Sequence, residues 1–503
     1  MLKRCINSFS YQFCQAISST RVISVLVLMM AFTFAVVHPI SYFCKDVGVN
    51  AHPFVFTHFT NDYICQLVIA SAVVVLFSDA PFESDAQAFI ITRAGRVPWA
   101  LGMCLYVFVI SFVYVSMLCI VSTLASLPRL DFQCGWGKAL GTLARTNAGA
   151  QYELTLYISD YIIGAYAPAK AMCTSFLLEW SCCVWLGMII YLFNSVCHNP
   201  LGCFVAAGFV FLDITVANEW TPWFYRISPL TMVQLDSISS SRSLIGLTVE
   251  YAAMFFSFSI LAFVSICILI PILKRRVKWW TISKQHGGEP MNWVSIRNVA
   301  KRFGHQTVLE DINLECLKGN IYGIVGRNGS GKTVLLKCIC GLVTPSSGTI
   351  FVNGKQVGVD VDFPEGVGFI IEMPGFLLHE SGISNLRRLA TIKKRINDER
   401  ICQCMRLVGL DPTLKKPVGK YSLGMRQRLG IAQAIMENPE LLVLDEPMNG
   451  LDDSGASQMR DLLKKLAGEG TTIIMASHSK DDIEQLCDEV YRMDSGQIKQ
   501  VKI

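Results

Sequence analysis

The stretch that decides the fold is Ile321–Leu342, IYGIVGRNGSGKTVLLKCICGL. Ile321 to Val325 reads as a short buried strand. Gly326-Arg327-Asn328-Gly329-Ser330-Gly331-Lys332-Thr333 fits the pattern G-x-x-x-x-G-K-[ST], and a helix is expected from about Lys332. The glycines let successive backbone N–H groups turn inward around phosphate oxygens, and the helix N-terminus adds partial positive charge. Lys332 is placed to reach β- and γ-phosphates, and Thr333 to hold Mg²⁺ through its hydroxyl. ATP and Mg²⁺ are the expected ligands.

Downstream, the apolar run Leu441-Leu-Val-Leu ends in Asp445-Glu446-Pro447. Two acids at the end of a strand beside a phosphate loop have the positions needed to organise Mg²⁺ (Asp445) and to polarise an attacking water (Glu446). The bland alternative is a strand followed by a solvated acidic turn, which the accompanying loop disfavours. From about residue 291 onward short apolar runs alternate with helical stretches, the pattern of an α/β domain.

A third segment, Tyr421-Ser422-Leu423-Gly424-Met425-Arg426-Gln427-Arg428, opens a helix upstream of the acidic strand. With the loop and the acidic strand it resembles the signature of the ATP-binding cassette (ABC) family, Leu-Ser-Gly-Gly-Gln, keeping Ser422 and Gly424 and departing at Tyr421, Leu423 and Met425. The form YSLGMRQRLGIA resembles cassettes that serve bacitracin and lantibiotic resistance in Gram-positive bacteria. The resemblance implies that Ser422, Gly424 and Met425 meet the γ-phosphate held by another subunit. It makes Asp452, in Asn449-Gly-Leu-Asp452, a residue of the loop that crosses a dimer interface. It makes His478, after the apolar run Thr471 to Ala476, a γ-phosphate contact, and Phe303 the ring that stacks on adenine, with core packing the competing reading for Phe303. Where the family usually has glutamine, Glu372 follows the run Val367 to Ile371, and it is kept as a metal or coupling residue.

Upstream of the cassette the solvent changes. Residues 1–272 hold 25 of the 83 Asp, Glu, Lys and Arg, although they are the longer part of the chain. Six apolar runs qualify against the roughly 20 residues that cross a bilayer, at about 22–43, 63–80, 99–125, 173–193, 199–217 and 250–272. A cleaved signal peptide is disfavoured for the first, which starts late and lacks a small-residue cleavage site. Lys3, Arg4, Arg21, Arg93, Arg96, Lys274, Arg275, Arg276 and Lys278 flank the runs on one side, which the positive-inside tendency makes the cytoplasm. An ATP-using domain needs the same side. The outward segments carry many aromatics, among them Trp136, Tyr152, Tyr161, Trp220 and Trp223. They are read as an interfacial belt, or as a segment lining a substrate exit. Short inward connections direct the cassette onto the segment near 79–98 and onto residues 1–21. Glu179 and Asp213 interrupt apolar runs and are candidates for a polar cavity, against the reading that each is structurally hydrogen-bonded.

The fold class expected is an all-α polytopic membrane domain with six transmembrane helices plus an α/β P-loop ATPase domain. Its boundaries are 1–280 for the permease, 281–290 (TISKQHGGEP) for a linker and 291–503 for the nucleotide-binding domain. The permease loosely resembles type-2 permeases. A net charge of +5 on 503 residues gives no footprint for a nucleic-acid partner. Of 19 cysteines none forms a Cys-x-x-Cys pair, and Cys44 and Cys134 fall on the outward side. One cassette supplies only half of each ATP site. The resemblance therefore implies a half-transporter that works as a homodimer, or with a related half, in a bacterial plasma membrane. It would export an amphipathic peptide antibiotic or lipid-like compound. The alternative is a membrane-anchored ATPase that senses or extracts a compound without moving it across.

Overall fold

The structure is a computed structural model describing residues 1–81, 85–127, 129–197, 199–217, 222–239, 247–282, 292–372 and 375–501. Most of the expected linker (283–290) and Trp220 lie outside the described residues, as do the side chains of Trp223, Lys274, Arg275, Arg276 and Lys278. The chain forms two compact units: Met1–Tyr11, Ser84–Ala100 and Leu269–Ile503 in one, Gln12–Glu83 and Leu101–Ile268 in the other.

The second unit is helical. Among the described residues, four helices are long and apolar enough to cross a membrane, judged by length and composition: Thr20–Val47, Arg96–Leu124, Pro168–Cys197 and Val249–Ile270. The remaining two apolar runs depart from the expectation of six full spans. The run at 63–80 belongs to a pair of helices, Val55–Asn61 and Tyr63–Leu76, bent by 80° at Asp62. Asp62 causes the break: its backbone is extended and its carboxylate caps the second helix, accepting from Cys65 N at 3.0 Å. The run at 199–217 is a helix whose apolar part, Leu201–Ile214, is shorter than a span. It packs tightly on its predecessor. Asn194 Oδ1 accepts from Gly202 N at 2.8 Å while Asn194 Nδ2 donates to Ala80 O at 2.7 Å, so one buried amide holds the tight connection. The segment between Leu124 and Pro168 contains helices Gly137–Arg145 and Asp160–Ala165, and Trp136 Nε1 donates to Tyr166 O at 2.9 Å. Cys44 is a buried free thiol and Cys134 an exposed one.

The first unit contains two sheets. Strands β1 (Val294–Phe303), β2 (Gln306–Cys316), β4 (Ser347–Val352) and β5 (Lys355–Gln356) form an antiparallel sheet in the order β2-β1-β4-β5. The other strands are β3 (Ile321–Val325), β6 (Val367–Ile370), β7 (Leu441–Asp445), β8 (Thr472–Ala476), β9 (Glu489–Asp494) and β10 (Gln497–Val501). They form a sheet ordered β10-β9-β3-β8-β7-β6, parallel except for the terminal β9–β10 hairpin. The central strands are buried along nearly their whole length, which is why they read as unbroken apolar runs rather than alternating ones. Because β3, β6, β7 and β8 run parallel, the segments after their C-terminal ends gather at one edge, where α/β sheets bind ligands.

Two segments from the N-terminal part fold into this unit. On the helix Asp85–Ala94, the Phe89 ring stacks on Phe369, with centroids 4.6 Å apart and planes 6° from parallel. Arg93 Nε donates to Glu437 Oε1 at 3.0 Å, and Lys393 Nζ lies 3.7 Å from Glu437 Oε2. Arg96 donates to Gly341 O at 3.1 Å and lies over the Phe363 ring. At the chain start, Asn7 Nδ2 donates to Thr391 O at 2.7 Å, and the buried Tyr11 hydroxyl donates to Gly375 O at 3.2 Å.

Candidate functional site

The loop after β3 closes on the helix Lys332–Ile339. Gly326 and Gly331 are dictated by space. A side chain at 326 would run into Met493 O and Ser330 Oγ, and one at 331, where φ is +106°, into Leu309 and Val308 O at 2.9 Å. Lys332 Nζ donates back to Gly326 O at 2.6 Å and Arg327 O at 3.2 Å, so the ammonium is held inside the loop's own curve. Ser330 Oγ is buried there without a partner among the described residues. Beside the loop opens a cavity of about 540 Å³. Its walls include Asn328 to Thr333, Val308, Glu372, Gln427, Asp445, Glu446 and Asn449.

Thr333 Oγ1 donates to Asp445 Oδ2 at 2.6 Å across the cavity floor. Burial pushes the Asp445 carboxyl up from its ordinary value, and the like charges of Glu446 and Glu372 push the same way, against the Thr333 hydrogen bond and Lys332. A carboxylate so crowded favours a cation. A hydroxyl and a carboxylate form the oxygen-only donor set that suits an ion keeping most of its shell as phosphate and water. Among the described residues no group of three His, Cys, Asp or Glu is assembled to hold a metal by itself.

Glu446 follows β7 with φ +48°, a left-handed conformation that is strained for this residue type, and its N–H is fixed by Ala476 O at 2.9 Å. That turn directs its carboxylate to His478 Nδ1 at 2.8 Å. Glu372 also has positive φ, +60°, and stands at the cavity wall paired with Lys337 Nζ at 2.7 Å. The sequence reading did not anticipate this Lys337 partner. Nor did it single out Gln427, whose buried amide donates to Glu446 O at 3.2 Å and Pro447 O at 3.0 Å and so braces the acidic turn. Its only signal was its place in the 421–428 segment.

The other expected residues lie elsewhere. Phe303 is 49% exposed, does not line the cavity, and carries Lys301 Nζ over its ring at 4.7 Å. Ser422 caps the helix Leu423–Ile435, its Oγ accepting from Met425 N at 3.2 Å. Gly424 has no room for a side chain because Gly450 O would meet it at 2.8 Å. Asp452 caps the helix Asp453–Gly468. None of Ser422, Gly424, Met425 and Asp452 lines this chain's cavity. In the helical unit, Glu179 is buried against Gln66, and Asp213 accepts from Ser228 Oγ at 2.7 Å and Thr231 Oγ1 at 2.6 Å.

A glycine-rich loop between a parallel strand and a helix N-terminus, facing an acidic strand end across a cavity, defines a P-loop nucleotide-binding domain. Residues 309–449 match the family model described as ABC transporter. An ABC transporter ATP-binding protein of Bacillus subtilis, YybJ, whose role is uncharacterised, is 42% identical over 206 residues, 41% of this chain and 94% of that protein. The bacitracin transport ATP-binding protein BcrA of Enterococcus faecalis is 42% identical over 207 residues, 41% of this chain and 67% of BcrA. The lantibiotic transport ATP-binding protein SrtF of Streptococcus pyogenes is 36% identical over 205 residues, 41% of this chain and 88% of SrtF. The chain belongs to the ABC transporter family of ATP-binding proteins, and its enzymatic activity is that of an ATPase coupled to transport.

Proposed function

We propose that this chain is an ABC half-transporter. Residues 1–280 form a multi-pass permease with six membrane-crossing segments, 281–290 a linker and 291–503 the cytoplasmic nucleotide-binding domain. Two copies, or one copy and a related half, export an amphipathic peptide antibiotic or lipid-like compound through a bacterial plasma membrane. The observation that carries the reading is covalent: a complete phosphate loop and acidic strand share one chain with several helices apolar and long enough for a bilayer. The relatives named for bacitracin and lantibiotic transport supply the substrate class.

In this reading the backbone of Gly326 to Gly331 wraps the phosphates and Lys332 leaves the loop carbonyls for the β- and γ-oxygens. Thr333 and Asp445 would hold Mg²⁺, with Glu372 beside them, and the bound ion would supply charge neutralisation at the phosphates. Glu446 orients and deprotonates the attacking water, while His478 steadies its carboxylate and reaches the γ-phosphate. Phe303 stacks on adenine. Ser422, Gly424 and Met425 close the site of the opposite copy, and Asp452 lies at the interface. Their absence from this chain's own cavity is what a site completed by a second copy requires.

The test uses the full chain in sealed inside-out vesicles. ATP-dependent accumulation of bacitracin or a lantibiotic, abolished by E446Q, is the expected result. Compound-stimulated ATPase without accumulation would instead select the sensing or extraction alternative.

A further inference from the structure

Glu179, on the helix Pro168–Cys197 of the helical unit, is 1% exposed. Its Oε1 receives Gln66 Nε2 at 3.4 Å and Cys183 Sγ at 3.7 Å. Among the described residues, its buried Oε2 has no donor, and neither does the buried Gln66 Oε1, on the neighbouring helix Tyr63–Leu76. Among the described residues no cation pairs with this carboxyl. Among the described residues, the titratable groups beside it include Tyr114, from the helix Arg96–Leu124, and Cys182 and Cys183 on its own helix. The Tyr114 hydroxyl is directed at Ile69 O, 3.2 Å away. On the adjoining helix Val55–Asn61, His58 Nδ1 accepts from Ser159 N at 3.3 Å.

A buried carboxylate ordinarily gathers several donors or a cation, because an uncompensated charge out of water costs several kcal/mol. This one has a single long amide contact and a thiol. Two acceptor oxygens, one on each side chain, are left facing no donor. A single proton resolves both, since on Glu179 Oε2 it turns one orphan acceptor into a donor and gives the other, Gln66 Oε1, its partner. Gln66 Nε2 to Glu179 Oε1 would then be the second arm of an acid–amide pair joining two helices.

We propose that Glu179 is a proton-binding site whose bound proton is shared with Gln66 Oε1. The ligand is H⁺, and a charged carboxylate hydrated by buried water is the outcome that would displace the proposal. Ionisation removes one arm of the pair, so proton release and separation of the two helices are linked.

Infrared spectroscopy of the full chain in lipid nanodiscs at pH 7 tests it. The wild type is expected to show the carbonyl band of an un-ionised acid that is missing in E179Q and retained in D213N. In Q66L the band is expected to persist but move in frequency, because the acid has lost its amide partner. Carboxylate bands lost in E179Q in place of the acid band would overturn the proton assignment. An unmoved band in Q66L would overturn the pairing, and that arm stands even if E179Q fails to fold.

Discussion

Replacing Arg93 by alanine should loosen the helix Asp85–Ala94 from the cassette without touching the nucleotide site. The Arg93 and Glu437 side chains are only 9% and 14% exposed, and their contact is 3.0 Å. Removing one member of a buried pair costs about 3–5 kcal/mol when the other charge is stranded. Glu437 keeps Lys393 at 3.7 Å and some access to water, so about 2 kcal/mol is the reasonable figure, roughly a 30-fold change in the docking equilibrium. Hydrogen exchange of the full chain should show amide protection falling by about that factor over 85–94 and staying unchanged over β3 and the phosphate loop. Acid should act in the same direction. Burial pushes Glu437 up, but Arg93 and Lys393 together outweigh it and hold the carboxyl below its ordinary value. Its contribution is therefore present above the ordinary carboxylate range and lost as pH falls through the lowered value, and R93A should weaken that acid dependence. A charge swap, R93E with E437R, should rescue poorly, because Lys393 would then face an arginine. Wild-type protection of 85–94 in R93A, or an equal loss at the phosphate loop, would refute the reasoning.

Glu446→Gln should leave ATP affinity near wild type and slow phosphate release by about 100-fold or more, the scale of a general base; release at the wild-type rate would remove Glu446 from that role. Lys332→Ala should weaken ATP binding by about 10- to 100-fold in equilibrium titration, the value of hydrogen bonds to a charged group, with the thermal midpoint nearly unchanged. Glu372→Gln breaks only the half-exposed pair with Lys337, so stability should change by less than about 1 kcal/mol. The lost negative charge beside Asp445 should still raise the Mg²⁺ concentration needed for half-maximal ATPase, and an unchanged Mg²⁺ profile would detach Glu372 from the metal.

The nucleotide half was legible because its chemistry is local. A phosphate loop needs its glycines, lysine and threonine contiguous, and the strands around it are buried on both faces, so Ile321–Val325 and Leu441–Asp445 announce themselves as apolar runs. What stayed hidden depends on three-dimensional neighbours: Gln427 bracing the acidic turn, Lys337 opposite Glu372, and the positive φ of Glu446 and Glu372. In the apolar half, hydropathy reported solvent but not path. The run at 63–80 read as a span, yet its helix covers only Tyr63–Leu76, and Asp62, just before it, ends one helix and caps the next at 80°. One carboxylate at a helix boundary weighs little in a sum over 20 residues and everything in the direction of the chain.

The sequence pointed to residues 1–21 and 79–98 as the segments that meet the cassette, but not to the contacts made by Met1–Tyr11 and Ser84–Ala100. Contacts that hold the helix Asp85–Ala94 include the Phe89–Phe369 ring stack and the charges of Arg93, Glu437 and Lys393, with Ile90 and Ala94 also buried; at the chain start they include Asn7 and Tyr11 bonding to backbone carbonyls. An apolar interface would be tighter but would separate only by exposing its whole area. Ions and amides keep water as an alternative partner, so such a joint opens at a cost of a few kcal/mol. Glu437 also stands just beyond the helix Leu423–Ile435, which Ser422 caps at its other end, so one rigid rod joins Ser422 to the carboxylate that grips Arg93.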